Sequence, residues 1–485
     1  MKGGVFILYL KILGVILIIN LILAILMVFF ERRNPAATWA WLMILLFLPA
    51  VGFILYLFLG QNLRRHKTFT LKEEEDRFHR TVLMQEEALE HDNTLFSSPF
   101  MRQFYHMIHL HLLSCKALYS QDNEIEVYTD GQEKFKSLMN SLQSATKYIH
   151  MQYYIFRNDQ IGRKILHILE QKAAQGVEVR LLYDGMGSIA LPRNFFNTLK
   201  QRGGHTACFF PPFVPYINLR VNYRNHRKIT IVDGKEAFIG GFNVGDEYLG
   251  KSRRFGFWRD THIKIKGSAI NELQRRFLLD WRFASKKKIE FEEKYFSKAP
   301  FQGKTGVQIV ASGPDSKWTS VKDGYFKMIT TARQKIYIQT PYFVPDESIL
   351  QALKIAALSG VDVRLMFPCK PDHLFVYWAS YSYIGELLPA GIRCYTYNKG
   401  FLHSKVMLAD GLVASVGTAN LDIRSFHLNF EVNAFIYDPE VVQQLEKSFE
   451  DDLKECTEIT QEIYNQRSLI VKWKESISRL LSPIL

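Results

Sequence analysis

The chain has 485 residues, 47% of them hydrophobic, and a formal net charge of +13 at neutral pH, which points to anionic partners, either phospholipid or nucleic acid. Its five cysteines, Cys115, Cys208, Cys369, Cys394 and Cys456, have no metal-type spacing and an odd count, so free thiols are expected. No glycine-rich nucleotide loop occurs, and no nucleotide cofactor is expected.

Residues 1–67 read as a two-span transmembrane anchor. Residues 12–30 are uncharged and almost wholly apolar, and residues 36–60 are uncharged as well. The second run would extend about 37 Å as a helix, against a bilayer core of about 30 Å. Trp39, Trp41 and Tyr56 lie near its ends, as interface aromatics do. Lys11 can snorkel to a headgroup. The first run is too long for a cleaved signal, and ERRNP makes a tight loop between the two. Arg64, Arg65 and Lys67 outweigh Arg32 and Arg33 offset by Glu31, which predicts a cytoplasmic amino terminus and a cytoplasmic body on the cell membrane.

Residues 68–122 read as a helical connector. KEEEDRFHR is a solvated stretch, and His106, His109 and His111 lack the cysteine or carboxylate that would complete a metal site. Beyond it the chain is duplicated, with halves at 123–300 and 301–485. KYIHMQYYIF reads as a strand and matches KIYIQTPYFV, with Gln152 and Gln339 in corresponding places. A helical segment follows each, then GVEVRLLYDG in one half and GVDVRLMFPC in the other. Strand, helix, strand in each half predicts an α/β fold with largely parallel pairing. FFPPFVPY suits a loop that dips toward lipid or packs on the body. The tail from 439 is helical, and LIVKWKESISRLLSPIL is an amphipathic stretch lying on lipid or on the body.

Each half carries the same eight-residue motif: His226, Lys228 and Asp233 in one, His403, Lys405 and Asp410 in the other, 403 − 226 = 177 residues apart. His and Lys, two apart, share one strand face. The intervening apolar residues continue the strand, and Asp-Gly reads as a hairpin turn. The aspartates thus belong at the far end of the strand, about 20 Å away, in a structural role. Asn243 and Asn420 close the small-residue turns that follow. Asp260 and Glu431 begin later strand-like runs and can fix an imidazole tautomer. A pseudo-twofold would bring both His-Lys pairs to one point. Imidazole can attack phosphorus or move a proton, and ammonium can hold phosphate oxygens.

These paired motifs in a duplicated α/β chain resemble the phospholipase D superfamily. With the membrane anchor, QYYIF, NHRK, GGFN and QTPYF, the chain resembles the bacterial cardiolipin synthase family within it. The resemblance implies transfer of a phosphatidyl group between two phosphatidylglycerol molecules, through a phosphatidyl-histidine. His226 would be the nucleophile and His403 the acid and then the base, in an order the local symmetry leaves open. Lys228, Lys405, Asn243 and Asn420 would face the phosphate, with no metal and no cofactor. Phosphatidylglycerol, other anionic phospholipids and the membrane are the expected partners, and nucleic acid is not. The alternatives are a phospholipase D-type hydrolase, another phosphatidyltransferase, or a non-catalytic scaffold for anionic lipid.

Overall fold

The computed structural model describes residues 2–30, 35–59, 81–89, 96, 99–211, 223–287, 289, 291–297, 301–480 and 482. Residues 31–34 of the expected tight loop, the basic residues at 64, 65 and 67, the acidic run at 72–80 and residues 212–216 of the aromatic loop lie outside the described residues.

The first apolar run forms one helix, Lys2–Phe30, in which Lys11–Phe29 is long and apolar enough to cross a membrane. The second run departs from the expectation of one continuous span: it forms two helices, Pro35–Phe47 and Pro49–Leu59. Pro49 has no N–H, so the Leu45 carbonyl four residues back loses its helical donor. Asn20, buried in the middle of the first helix, replaces it. Its Nδ2 donates to Leu45 O at 3.1 Å and to Pro49 O at 3.0 Å. The two short helices fold back on each other. Along one straight helix Trp41 and Tyr56 would stand about 22 Å apart, yet their rings meet edge to face at 5.5 Å. Gly52 permits the approach, since a Cβ there would fall 2.5 Å from Ile44 O. Met27 of the first helix packs into the same cluster as Trp41, Leu45 and Tyr56.

The body is built on one continuous mixed sheet whose seam is the antiparallel pair Tyr119–Tyr128 and Thr305–Ser312. Outward from the seam, the first half adds His262–Lys266, Glu236–Gly240, Ile229–Val232, Tyr148–Tyr153, Glu178–Asp184 and His205–Phe209. The second half adds Asn429–Tyr437, Val413–Gly417, Val406–Ala409, Lys335–Gln339, Asp362–Pro368 and Arg393–Tyr397 in the same order, then Cys456–Ile459. The duplication is therefore a pseudo-twofold about the seam.

Each half contains the strand–helix–strand unit. In the first, Gln160–Ala174 links two parallel strands; in the second, Glu347–Leu358 does. The expectation of largely parallel pairing is corrected. Along the main path of the sheet, parallel pairs are confined to these units and the next strand outward, and the strands around the motifs are antiparallel. The cause is the Asp-Gly turn, which joins each motif strand to its neighbour as a hairpin. Asp233 and Gly234 have φ of 54° and 66°, and Asp410 and Gly411 have 55° and 69°, the paired positive values that tight hairpins require.

The two aspartates do more than turn the chain. Asp233 accepts from the main-chain N–H groups of Thr146, Lys147 and Tyr148, each at 2.8 Å. Asp410 accepts from Arg333 and Gln334 at 2.8 Å and from Lys335 at 3.0 Å. Each thus holds the start of the neighbouring strand. Partial burial opposes ionisation of Asp233, but the donated N–H groups outweigh it and the carboxyl is held below its usual range. Asp233→Asn and Asp410→Asn are expected to lower stability by about 1–3 kcal/mol each, with activity per folded molecule retained. Thermal unfolding combined with activity normalised to folded protein checks this.

Candidate active site

His226 and Lys228 lie just before the strand Ile229–Val232, and His403 and Lys405 just before Val406–Ala409. Both pairs are held at the junction of the halves by crossed backbone. Arg224–Asn225 pairs in parallel with residues 429–430, and Phe257–Arg259 pairs in parallel with Gly400–Leu402. His226 N–H donates to Phe430 O at 3.0 Å, and His403 N–H donates to Arg259 O at 2.7 Å.

The side chains cross in the same way. His226 Nδ1 lies 3.0 Å from both carboxylate oxygens of Glu431 and 3.1 Å from Thr418 O. His403 Nδ1 lies 2.6 Å from Asp260 Oδ2. These partners are acceptors, so Nδ1 carries the proton in each ring and Nε2 is left with a lone pair. Each histidine is therefore oriented by a carboxylate from the other half. Asp260 and Glu431 stand out as possible imidazole partners in the sequence, but their exchange between halves does not.

Burial sets the protonation states. His226 is lowered to about 4 by desolvation, against the opposing pull of Glu431. His403 is lowered to about 4 by desolvation and then by Lys405. Burial also brings Lys228 down to about 7 and Lys405 to about 8. Each lysine Nζ donates to the main-chain carbonyl of its own motif histidine, Lys228 at 2.6 Å. Glu431 is pushed up by burial but held below its usual value by His226 and Lys228. Both imidazoles are therefore neutral near pH 7. An arriving anionic phosphodiester would raise all four basic groups.

The sequence also matches known proteins. Residues 138–281 and 325–453 match the family described as cardiolipin synthase, PLD-like domain, and residues 12–61 match the phospholipase D-nuclease N-terminal domain. The chain is 49% identical to a cardiolipin synthase of Listeria monocytogenes over 98% of both chains. The chain belongs to the cardiolipin synthase family. A cardiolipin synthase of Staphylococcus aureus is 50% identical over 96% of this chain and 95% of its own. The fold is shared with phosphatidylserine synthase of Haemophilus influenzae, at a TM-score of 0.59 and 14% identity, over 78% of this chain and 100% of that one.

Behind the histidines of this cardiolipin synthase family member lies a buried layer that sequence reasoning missed. Arg227 NH1 is 2.6 Å from both oxygens of Asp280, and its Nε donates to Glu431 O at 3.1 Å. Arg259 Nε donates to Asp452 at 2.8 and 3.0 Å, and its NH1 donates to Asp260 O at 2.7 Å. Gln152 donates to Asp280 at 2.8 Å and Gln339 to Asp452 at 2.7 Å. Each carboxylate partner of a histidine thus has its main chain fixed by a buried arginine. Asp280 and Asp452 come from the helices Ala269–Ser285 and Pro439–Leu453, which pack on the motif strands. The matching glutamines in the two halves were the one sequence signal of this layer.

One sequence-derived candidate, Asn243, has its amide engaged elsewhere than expected. Asn243 Oδ1 accepts from Ile155 N–H at 3.0 Å and its Nδ2 donates to Tyr248 OH at 3.1 Å, so this amide braces the turn. Asn420 is buried and its Oδ1 has no partner among the described residues. His111 is a core residue, with its ring 4.3 Å from that of Phe435, and burial pulls it down to about 4. Among the described residues no group of three or more His, Cys, Asp or Glu side chains converges as a metal site. All five cysteines are free.

Proposed function

We infer that this phosphatidyltransferase joins two phosphatidylglycerol molecules into cardiolipin and glycerol. The observation that supports this most is the paired His-Lys centre, with each imidazole held by the opposite half, in a chain so similar over its full length to cardiolipin synthases. In the proposed first step, His226 Nε2 attacks phosphorus and the bond to the glycerol headgroup breaks. His403, protonated once the anionic lipid is bound, gives its proton to the leaving oxygen. In the second step, neutral His403 takes the proton of the incoming phosphatidylglycerol hydroxyl, whose oxygen displaces His226. Lys228 and Lys405 hold the non-bridging oxygens throughout. One phosphodiester replaces another, so no nucleotide is consumed. The test is full-length protein in phosphatidylglycerol liposomes, with products identified by mass spectrometry. Cardiolipin and glycerol in equal amounts support the reading. Phosphatidic acid alone points to a hydrolase, and absence of turnover to a scaffold.

The lysine values give a pH dependence with a definite sign. An ammonium is charged below its pKa, so raising pH removes the charge that binds phosphate. The free-protein parameter kcat/KM is expected to fall as pH rises through 7 to 8, where Lys228 and Lys405 titrate. The kcat limb should lie higher, because bound anion stabilises both ammonium groups. An alkaline limb in kcat/KM only near about 10.4, the ordinary lysine range, contradicts the burial effect.

We further propose that the first helix spans the membrane once and that residues 35–59 enter and leave from the body's side. Asn20 is the midpoint of Lys11–Phe29, and it holds the fold-back near Leu45 and Pro49. The turn would therefore lie near mid-bilayer, where irregular backbone is tolerated only when protein satisfies it. The charge pattern agrees. A two-span hairpin would leave Arg32 and Arg33 outside, whereas in the proposed topology they would share the cytoplasmic side with Arg64, Arg65 and Lys67. Gly3→Cys should then react with an impermeant maleimide in intact cells, and Glu31→Cys only after permeabilisation. The reverse pattern supports two spans.

A further inference from the structure

The last helix, Leu469–Leu480, is inside out for a body surrounded by water. Its packed face carries the buried Glu475 and Ser478, with Glu475 bridged to Arg467 at 2.8 Å. Its outer face carries Leu469, Trp473 and Leu480, 82%, 67% and 81% exposed, flanked by Ile470 at 67%. An isolated exposed leucine needs no explanation, but a cluster of large apolar side chains opposite a polar buried face does.

The helix lies beside Leu374–Leu387. Lys474 Nζ stands 5.3 Å over the Trp378 ring, and Arg479 stands 4.6 Å over Tyr383 and pairs with Glu386. Residue numbers rise together along the contact, so the helices run parallel and their amino-terminal ends meet. At that end Leu374 and Phe375 are 61% and 55% exposed, extending the apolar patch across both helices. The Leu374 end of the patch lies toward the histidine centre. Asp372, two residues before Leu374, accepts from Tyr342 OH, and its charge reaches Lys405. Lys370, Lys472 and Lys474 are exposed around it.

We propose that this patch is a second membrane contact, seated at the headgroup–acyl boundary of an anionic phospholipid surface beside the opening of the site. Apolar side chains, a tryptophan and interspersed lysines on one exposed face fit that boundary: the rings and aliphatic chains enter the acyl edge while the ammonium groups stay with phosphate. A second copy of this chain would satisfy the apolar residues, but it would set the lysines of one copy against those of the other. The contact presses the opening of the site onto the surface that holds lipid substrate. This function rests on the phosphatidyltransferase reading; the contact itself does not.

The test uses full-length protein in nanodiscs containing phosphatidylglycerol with brominated acyl chains, and compares it with the Trp473→Phe variant. The fluorescence that this substitution removes should be quenched by brominated lipid relative to unbrominated lipid. In parallel, the Leu469→Glu/Ile470→Glu variant should lose about tenfold or more in kcat/KM on vesicles, since two apolar side chains no longer enter the bilayer. It should change less than about twofold on short-chain phosphatidylglycerol below its micellar concentration, where there is no surface to sit on. An unquenched Trp473 overturns the proposal. So does conversion of a dimer to monomers by the double variant without a change in quenching. Quenching at Trp473 in a protein that makes no cardiolipin would keep the contact and remove the enzymatic reading, so the two fail separately.

Discussion

Replacing His226 or His403 by alanine is expected to lower phosphatidyl transfer by about 10⁴-fold or more, about 5.4 kcal/mol in barrier height. In the proposed mechanism each half-reaction needs one imidazole at phosphorus and another moving a proton, so the loss of either would stop both. The double variant should be little worse than either single one, because the groups act as a unit. The Nδ1 contacts from Glu431 and Asp260 give a graded version of the same experiment. Glu431→Gln and Asp260→Asn keep size and hydrogen bonding but remove the charge that supports an imidazolium. They should lower the rate by about 10²-fold or more while leaving unfolding temperature nearly unchanged. Turnover on liposomes, normalised to folded protein, is the measurement. Near-normal turnover by either alanine variant is incompatible with a two-histidine centre.

The largest effect on stability is expected at the buried pair Arg227–Asp280. Arg227 is 1% exposed and Asp280 0%, so Asp280→Ala leaves a guanidinium buried without its carboxylate. Breaking such a pair costs about 3–5 kcal/mol. The damage should also reach the site, because Arg227 holds the main chain of Glu431 and Glu431 holds His226. Arg227→Met combined with Asp280→Leu separates the two effects. An apolar pair of similar volume should recover most of the unfolding temperature, but not the activity, since the Glu431 carbonyl remains unheld. Chemical denaturation of the detergent-solubilised protein, followed alongside turnover, checks both arms. A destabilisation below about 1 kcal/mol for Asp280→Ala would place the ion pair in water rather than in the core.

The motif and the duplication were legible because they are local. His and Lys two apart, a short apolar run and Asp-Gly specify strand and hairpin with no knowledge of the rest of the chain. The pattern also puts Asp233 and Asp410 a strand length from the histidines, and there their carboxylates accept main-chain N–H groups at the start of the neighbouring strand. What could not be read was which half supplies what. Glu431 serves His226 and Asp260 serves His403 through backbone pairs that join distant parts of the chain, and no spacing encodes that exchange. No motif marks Asp280 in the sequence; only the packing of its helix on the motif strands shows it buried opposite Arg227. Antiparallel pairing was implied by the Asp-Gly turns but masked by the strand–helix–strand units beside them. The anchor shows the limit of hydropathy. Residues 36–60 are uniformly apolar, yet Pro49 interrupts the ladder and Asn20 holds the fold-back. Both residues were visible in the sequence, but hydropathy alone does not register a missing N–H.

The central claim is that phosphate is carried on His226 while His403 moves the protons. The most direct measurement uses the His403→Ala variant and a phosphatidyl ester with a p-nitrophenolate leaving group, which departs without a proton. Alkaline quenching and peptide mass analysis should find one phosphatidyl group on the peptide containing His226. The bound group should persist, because no base remains to activate the acceptor hydroxyl. Release of p-nitrophenol with no adduct on His226, or an adduct found elsewhere in the chain, would contradict the account.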